Sequence, residues 1–151
     1  MRYRIVAVGK LKEPFYRNGF QHYLRRLSAL AQCESVEVKE GAGDASAAKR
    51  AEGQALLRAA QPRVVALDES GPVFSTRSLA QHVSSLELAG HSRLTLLIGG
   101  AAGHGEELLS AVDERWSLSP LTFPHDLARL VLVEQLYRVE TLRAGHPYHR
   151  D

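Results

Sequence analysis

The chain has 151 residues, of which 44% are hydrophobic and 24% charged, and a formal net charge of +2. A length like this favours one domain, able to bury roughly 70% of the surface its unfolded chain exposes, and so small a net charge leaves only a weak whole-molecule attraction to nucleic acid. The lone cysteine, Cys33, excludes an internal disulfide and a cysteine-based zinc site. No stretch is apolar for the ~20 residues that a bilayer requires, and the opening MRYRIVAVGKLK is too short an apolar run for a signal peptide. The expectation is a cytoplasmic protein with one domain over 1–151.

The first predicted strand is YRIVAVG, and PFYRNGFQHYLRRLSAL follows as a helix opened by Pro14, with Tyr16, Phe20, Tyr23, Leu24, Leu27 and Leu30 on one stripe. Within Met1 to Arg26, seven basic residues (Arg2, Arg4, Lys10, Lys12, Arg17, Arg25, Arg26) oppose only Glu13, a local excess of +6. Two readings stay open: a footprint for phosphate, or solubilising charge on outward faces. The three aromatics of the helix read as core; stacking on RNA is the weaker alternative.

SVEVKE reads as the second strand, and DASAAKRAEGQALLRAA as a helix capped by Asp44. RVVALDE is the third strand, followed by STRSLAQHVSSLELAG, a helix that opens at Ser75 or Thr76 and stops at Gly90. RLTLLIGG is the fourth strand. Such alternation predicts an α/β fold with a parallel sheet covered by helices on both faces.

Open sheets of this kind bind ligands outside the carboxyl ends of their strands. Two ends here carry the right residues: Leu67 running into Asp68 and Glu69, and Ile98 running into Gly99 and Gly100. The glycines at 99, 100, 103 and 105 lack the dinucleotide spacing and the Gly-Lys-Ser/Thr ending of a Walker loop. A tight turn before a helix starting near His104 remains the plain alternative. Asp68 and Glu69 suit ribose hydroxyls or a sulfonium, or form a solvated turn.

The last third predicts a short strand near Trp116 to Leu118, a loop with Pro120 and Pro124, and a helix from about Pro124 to Leu142. Its first half, with Leu127, Ala128, Leu130, Val131, Leu132 and Val133, is apolar over more than one stripe. That surplus implies burial against a partner subunit or deep inside the fold. The chain closes on HPYHRD.

Taken together, VAVGK, YLRR, LLIGGAAGHG, WSLSPLTFPHDLARLVLVEQLYR and HPYHRD resemble the RlmH family of ribosomal RNA methyltransferases, of the SPOUT class. The likeness runs through essentially the whole chain and is most specific from Trp116 to Asp151. It implies a deep C-terminal trefoil knot, a homodimer, and S-adenosyl-L-methionine held by knotted loops. The implied substrate is a pseudouridine in an intersubunit hairpin loop of large-subunit (23S) rRNA on the ribosome, methylated at N3. Carried over by position, the cofactor pocket includes Leu67, Gly99, Gly100, Ser119, Pro120, Leu121, Thr122, Phe123 and Pro124. Where the family commonly has a proline and an acidic residue after the paired glycines, this chain has Ala101 and Ala102, which puts an acidic role there in doubt.

Transfer to an imide nitrogen needs alignment, dryness and loss of a proton. Histidine is the side chain whose ordinary pKa, about 6.5, lies near neutrality. The expected catalytic group is therefore His149, with Tyr148 for base stacking and Arg150 for a phosphate or a carbonyl. His146 and His149 have no nearby third ligand in sequence, so no metal is expected. His125 beside Asp126 reads as a cap or surface residue, and Tyr137 and Arg138 as lining a dimer seam. The alternative function is a catalytically inactive ribosome- or RNA-binding module with the same fold.

Overall fold

In the computed structural model, which describes residues 1–150, ten elements alternate along the chain. They are β1 (Arg2–Val8), α1 (Pro14–Ser28), β2 (Cys33–Val38), α2 (Ala45–Ala59), β3 (Val64–Leu67), α3 (Thr76–Leu88), β4 (Arg93–Ile98), α4 (Glu106–Ala111), β5 (Glu114–Trp116) and α5 (His125–Arg143). All strand pairs are parallel, in the order β2-β1-β4-β3-β5. The alternation of strand and helix thus yields the expected sheet.

Strand pleating sends alternate residues to opposite faces, and this sorts the helices. Tyr3, Ile5 and Ala7 of β1 and Leu94, Leu96 and Ile98 of β4 join the larger core, with Phe20 and Leu27 of α1, Leu79 and Val83 of α3, and Leu132, Val133 and Leu136 of α5. Val6, Val8, Ala66 and Leu97 face the other way and pack with Leu56 of α2 and Leu108 and Leu109 of α4. Each reversal of direction along the sheet coincides with a change of face, as crossovers of one hand require.

Local chemistry sets the boundaries. Asp44 accepts from the Ala47 amide at 2.8 Å and Ser75 from the Ser78 amide at 3.1 Å, so both side-chain caps sit where helix starts need acceptors. The helix after the glycine loop begins at Glu106, not His104, because Gly105 takes the extended cap position. The fifth strand lies two residues earlier than its apolar run suggested: Glu114, Arg115 and Trp116 register with Val65, Ala66 and Leu67, and Ser117 leaves to bridge Val73.

The surplus apolar surface of α5 is partly absorbed inside the fold, since α5 packs against both α1 and α3 over the sheet. Leu127, Ala128, Leu130 and Val131 nevertheless remain only half-buried. Among these apolar residues stands Arg129, 1% exposed, which donates to Glu37 Oε2 at 2.7 Å and to the carbonyls of Val8 at 3.2 Å and Gly9 at 3.0 Å. β1 and β4 are neighbours whose connections leave in opposite directions, the crevice where such sheets commonly bind ligands. Arg129 fills the carboxyl end of β1, and the open space lies further along, beyond β4, β3 and β5.

Candidate functional site

Three loops meet at that space. Leu67, Asp68 and Glu69 follow β3, residues 99 to 104 follow β4, and residues 117 to 124 follow β5; with Lys49 of α2 and the first turn of α5 they enclose a cavity of about 630 Å3. Of the nine residues expected to hold a cofactor, Leu67, Gly99, Gly100, Ser119, Leu121, Thr122, Phe123 and Pro124 line this cavity. Pro120 sits in the same loop but does not line it.

The loop after β5 is braced by its own polar groups. Ser117 Oγ donates to the Ser119 carbonyl at 3.1 Å, and the Leu121 amide donates to Ser119 Oγ at 2.9 Å. This leaves Leu121 73% exposed at the rim. An apolar side chain held open beside backbone donors and acceptors is suited to a planar heterocycle.

The paired glycines have a role different from clearing space for a ligand. A Cβ on Gly100 would lie 3.1 Å from Glu52 Oε1 and 3.2 Å from Val8 Cγ1, both on the inner side of the loop. One on Gly99 would come within 3.0 Å of the Gly103 carbonyl carbon and 3.2 Å of His104 Nδ1. Gly100 is small so that the loop can lie against buried Glu52, whose other oxygen accepts from the Gly41 amide at 2.9 Å, and Gly99 so that the loop can close on its own Gly103 and His104. A side chain at Gly100 would meet Glu52 and Val8 first.

His104, Lys49, His125 and Ala128 also line the cavity, although their sequence positions carried no such signal. His104 Nε2 lies 3.2 Å from the Leu97 carbonyl, and burial lowers its pKa from the ordinary 6.5, against the opposing pull of that carbonyl and of Asp68 and Glu52. It therefore faces the cavity as neutral imidazole at pH 7. Asp68 Oδ2 accepts from the Ser70 amide at 3.0 Å and from the Ser70 hydroxyl, which fixes the acidic turn at the cavity's edge.

The tail lies elsewhere. Gly145, in the left-handed region at φ 70°, ends α5, and the His146 amide donates to the Thr141 carbonyl at 2.8 Å, turning the chain back along the helix. Tyr148 then packs edge-on against Tyr137 at 4.7 Å, under the guanidinium groups of Arg138 at 4.7 Å and Arg26 at 5.4 Å. Its hydroxyl donates to Glu134 Oε1 at 3.1 Å. Burial, with Tyr23 and Glu134 adding to it, pushes the phenol up to about 12, so Tyr148 stays protonated at neutral pH and is no base. His149 Nδ1 lies 3.3 Å from Arg138 Nη1, and Arg150 is exposed.

None of Tyr148, His149 and Arg150 lines the cavity of the same chain. The basic excess of the first 26 residues is divided as well: Arg4 pairs with Glu34 at 2.8 Å and Arg26 lies over the tyrosines, whereas Arg2, Lys10, Lys12 and Arg25 are exposed. No three His, Cys, Asp or Glu residues cluster as metal ligands among the described residues.

A family model described as predicted SPOUT methyltransferase matches residues 1–149. The chain belongs to the SPOUT methyltransferase family. This SPOUT methyltransferase is 42% identical to ribosomal RNA large subunit methyltransferase H of Heliobacterium modesticaldum, over 97% of this chain and 98% of that protein. It is 38% identical to the protein of the same name in Pseudomonas aeruginosa, over 99% and 100%. The resemblance to the RlmH family thus holds over nearly the full length. Its fold is shared by a probable methyltransferase from Bordetella pertussis, with a TM-score of 0.56 at 14% identity, covering 92% of this chain and 96% of that one. TrmJ from Z. mobilis aligns with a TM-score of 0.54, also at 14% identity, over 93% of this chain and 70% of the other.

Proposed function

We propose that this SPOUT methyltransferase, acting in the cytoplasm as one domain over 1–151, transfers a methyl group from S-adenosyl-L-methionine to N3 of a pseudouridine in large-subunit (23S) rRNA on the ribosome. The observation that carries the reading is the cavity itself. Its volume falls within the range of small-molecule sites, its walls mix loop backbone and apolar side chains with a few polar ones such as Lys49 and His104, and its acidic rim at Asp68 and Glu69 complements a cationic ligand. Relatives at 38–42% identity that carry the name ribosomal RNA large subunit methyltransferase H support the substrate.

When bound, S-adenosylmethionine supplies an electrophilic methyl on a sulfonium. Leu121 and Phe123 would hold its adenine, the Ser117–Pro124 loop would offer it backbone groups, and the Asp68 carboxylate would complement its positive charge. The braced loop would keep water from the approach of the N3 nitrogen. As the N3–methyl bond forms and the sulfur–methyl bond breaks, the N3 proton must leave, and its uptake is assigned to His149. Tyr148 stacks on the base and Arg150 holds a phosphate or a carbonyl.

Because the tail and the cavity are separate within one chain, the reading requires a homodimer in which one subunit's tail reaches its partner's cavity. The half-buried run Leu127, Leu130 and Val131 supports that seam, and the convergence of the loops after β3, β4 and β5 supports the knotted path implied by the family. Mass spectrometry of rRNA from cells with and without the gene tests the activity. An unchanged modification pattern would overturn it, and sedimentation as a stable monomer at micromolar concentration would remove the shared site.

A further inference from the structure

The opposite end of the sheet holds a second concavity with a different chemistry. Arg2 opens β1, Arg93 opens β4, and the two are directly paired in register, so both side chains leave from the same face. Like charges placed opposite each other across strands are destabilising. Among the described residues neither guanidinium has an acidic or hydrogen-bonding partner, whereas the arginines around them are engaged: Arg4 with Glu34, Arg63 with Glu114 at 2.8 Å, and Arg143 with Glu140 at 2.7 Å.

Arg2, Arg63, His91, Ser92 and Arg93 border a polar cavity of about 380 Å3. Its one carboxylate, Asp113, accepts from the Val64 amide at 2.7 Å and is thereby tied to the strand. The loop that carries Arg63 is fixed by Thr95, whose hydroxyl donates to the Gln61 carbonyl at 2.6 Å and accepts from the Gln61 amide at 3.1 Å. The concavity is therefore shaped by the backbone, and among the described residues the two guanidinium groups of Arg2 and Arg93 outweigh its single carboxylate, Asp113, with Arg63 already paired to Glu114. Guanidinium groups in a fork beside a hydroxyl match the oxygens of a phosphate.

We propose that this cavity binds a backbone phosphate of RNA, forming a second contact remote from the cofactor cavity. That the phosphate belongs to RNA rests on the methyltransferase reading above; that the site takes a phosphate does not. The seven residues of β1 separate the two ends of the sheet by roughly 20 Å. A contact at that distance sets the orientation of the RNA and does not touch the reacting base.

The test is the salt dependence of binding, by fluorescence anisotropy, of a labelled single-stranded uridine 20-mer to the wild type, to Arg2→Gln/Arg93→Gln, and to Arg2→Lys/Arg93→Lys. Replacing the pair relieves a like-charge contact, so the fold is retained, which thermal melting checks. Two lost phosphate contacts should lower the slope of log K against log salt by about 1.4 and weaken binding roughly tenfold at low salt. The lysine pair should keep most of the slope. Calorimetric affinity for S-adenosylmethionine should be equal in all three. An unchanged slope in the glutamine pair overturns the proposal, as does a site that takes inorganic phosphate in the wild type alone while the RNA slope stays fixed. Failure of the wild type to bind S-adenosylmethionine would strike the methyltransferase reading and leave the RNA slopes interpretable.

Discussion

The cavity at the carboxyl ends of the strands and the tail folded onto α5 are built by opposite means. The cavity is framed by loops: three of them, with glycine, proline and serine, are braced by short internal hydrogen bonds such as Leu121 to Ser119, and only a few side chains such as Lys49 and His104 reach in. The tail site is made of long side chains: Tyr148 lies among Tyr137, Arg26, Arg138 and Glu134, each contributed by a helix. A backbone pocket recognises a ligand of constant shape, as a methyl donor is. A charged, aromatic surface suits a partner that presents phosphates and bases. The contrast sets a loop-framed pocket apart from a side-chain surface within one chain, the two parts to which the proposed function assigns donor and acceptor.

If the parts are separable, damage to one should spare the other. The largest effect should come from ending the chain after Gly145: methyl transfer to ribosomes should fall by roughly a thousandfold, the scale of losing a positioned acid–base group. Affinity for S-adenosylmethionine, read by calorimetry, should stay within about twofold, and stability should drop by on the order of 1 kcal/mol as Tyr148 leaves Tyr137. Full turnover by the truncated chain would dissolve the distinction.

Next is the reverse lesion. Ala128 lines the cavity from the first turn of α5, so Ala128→Phe should fill it and weaken the donor by about a hundredfold, close to 2.7 kcal/mol. Its RNA affinity should match the wild type. Within the tail, His149→Ala should reduce kcat with little change in RNA affinity, whereas Arg150→Ala should weaken RNA binding several-fold and lower its salt slope by about 0.7. The reverse pattern would exchange their roles.

The smallest effect concerns pH. Because burial holds the His104 pKa below 6.5, the unfolded chain binds its proton first on acidification, so stability from this residue is present above about pH 6.5 and is lost as pH falls through the folded value. His104→Asn should flatten the acid side of the stability curve between about pH 7 and pH 5. An unaltered curve would mean that the imidazole is solvated.

Periodicity and capping residues made the strand and helix order legible, because each element carries its own signal: Asp44 and Ser75 cap where the spacing places them. The fifth strand was misplaced by two residues since its position is decided by register with Leu67, a long-range property. Cavity residues on loops that leave strand ends were legible from those ends and from the family resemblance. Lys49 and Ala128 were not, because whether a helical residue faces a ligand depends on how whole helices dock. Arg129 was the least visible, lying inside a run of apolar residues that read as uniform core.

The side-chain contacts that complete the first strand come from later helices, α3 and above all α5. Val8 and Gly9 receive Arg129, Tyr3 donates its hydroxyl to Glu140 at 2.6 Å, and the amino-terminal ammonium meets Glu87. During synthesis the first strand can meet β2 early and β4 later, but its contacts with Arg129 and Glu140 wait until α5 has been made. Contacts so distant in sequence carry a high loop-closure cost and slow folding, so the nascent chain remains incompletely packed for most of its translation. The last helix therefore closes contacts that no earlier segment can supply.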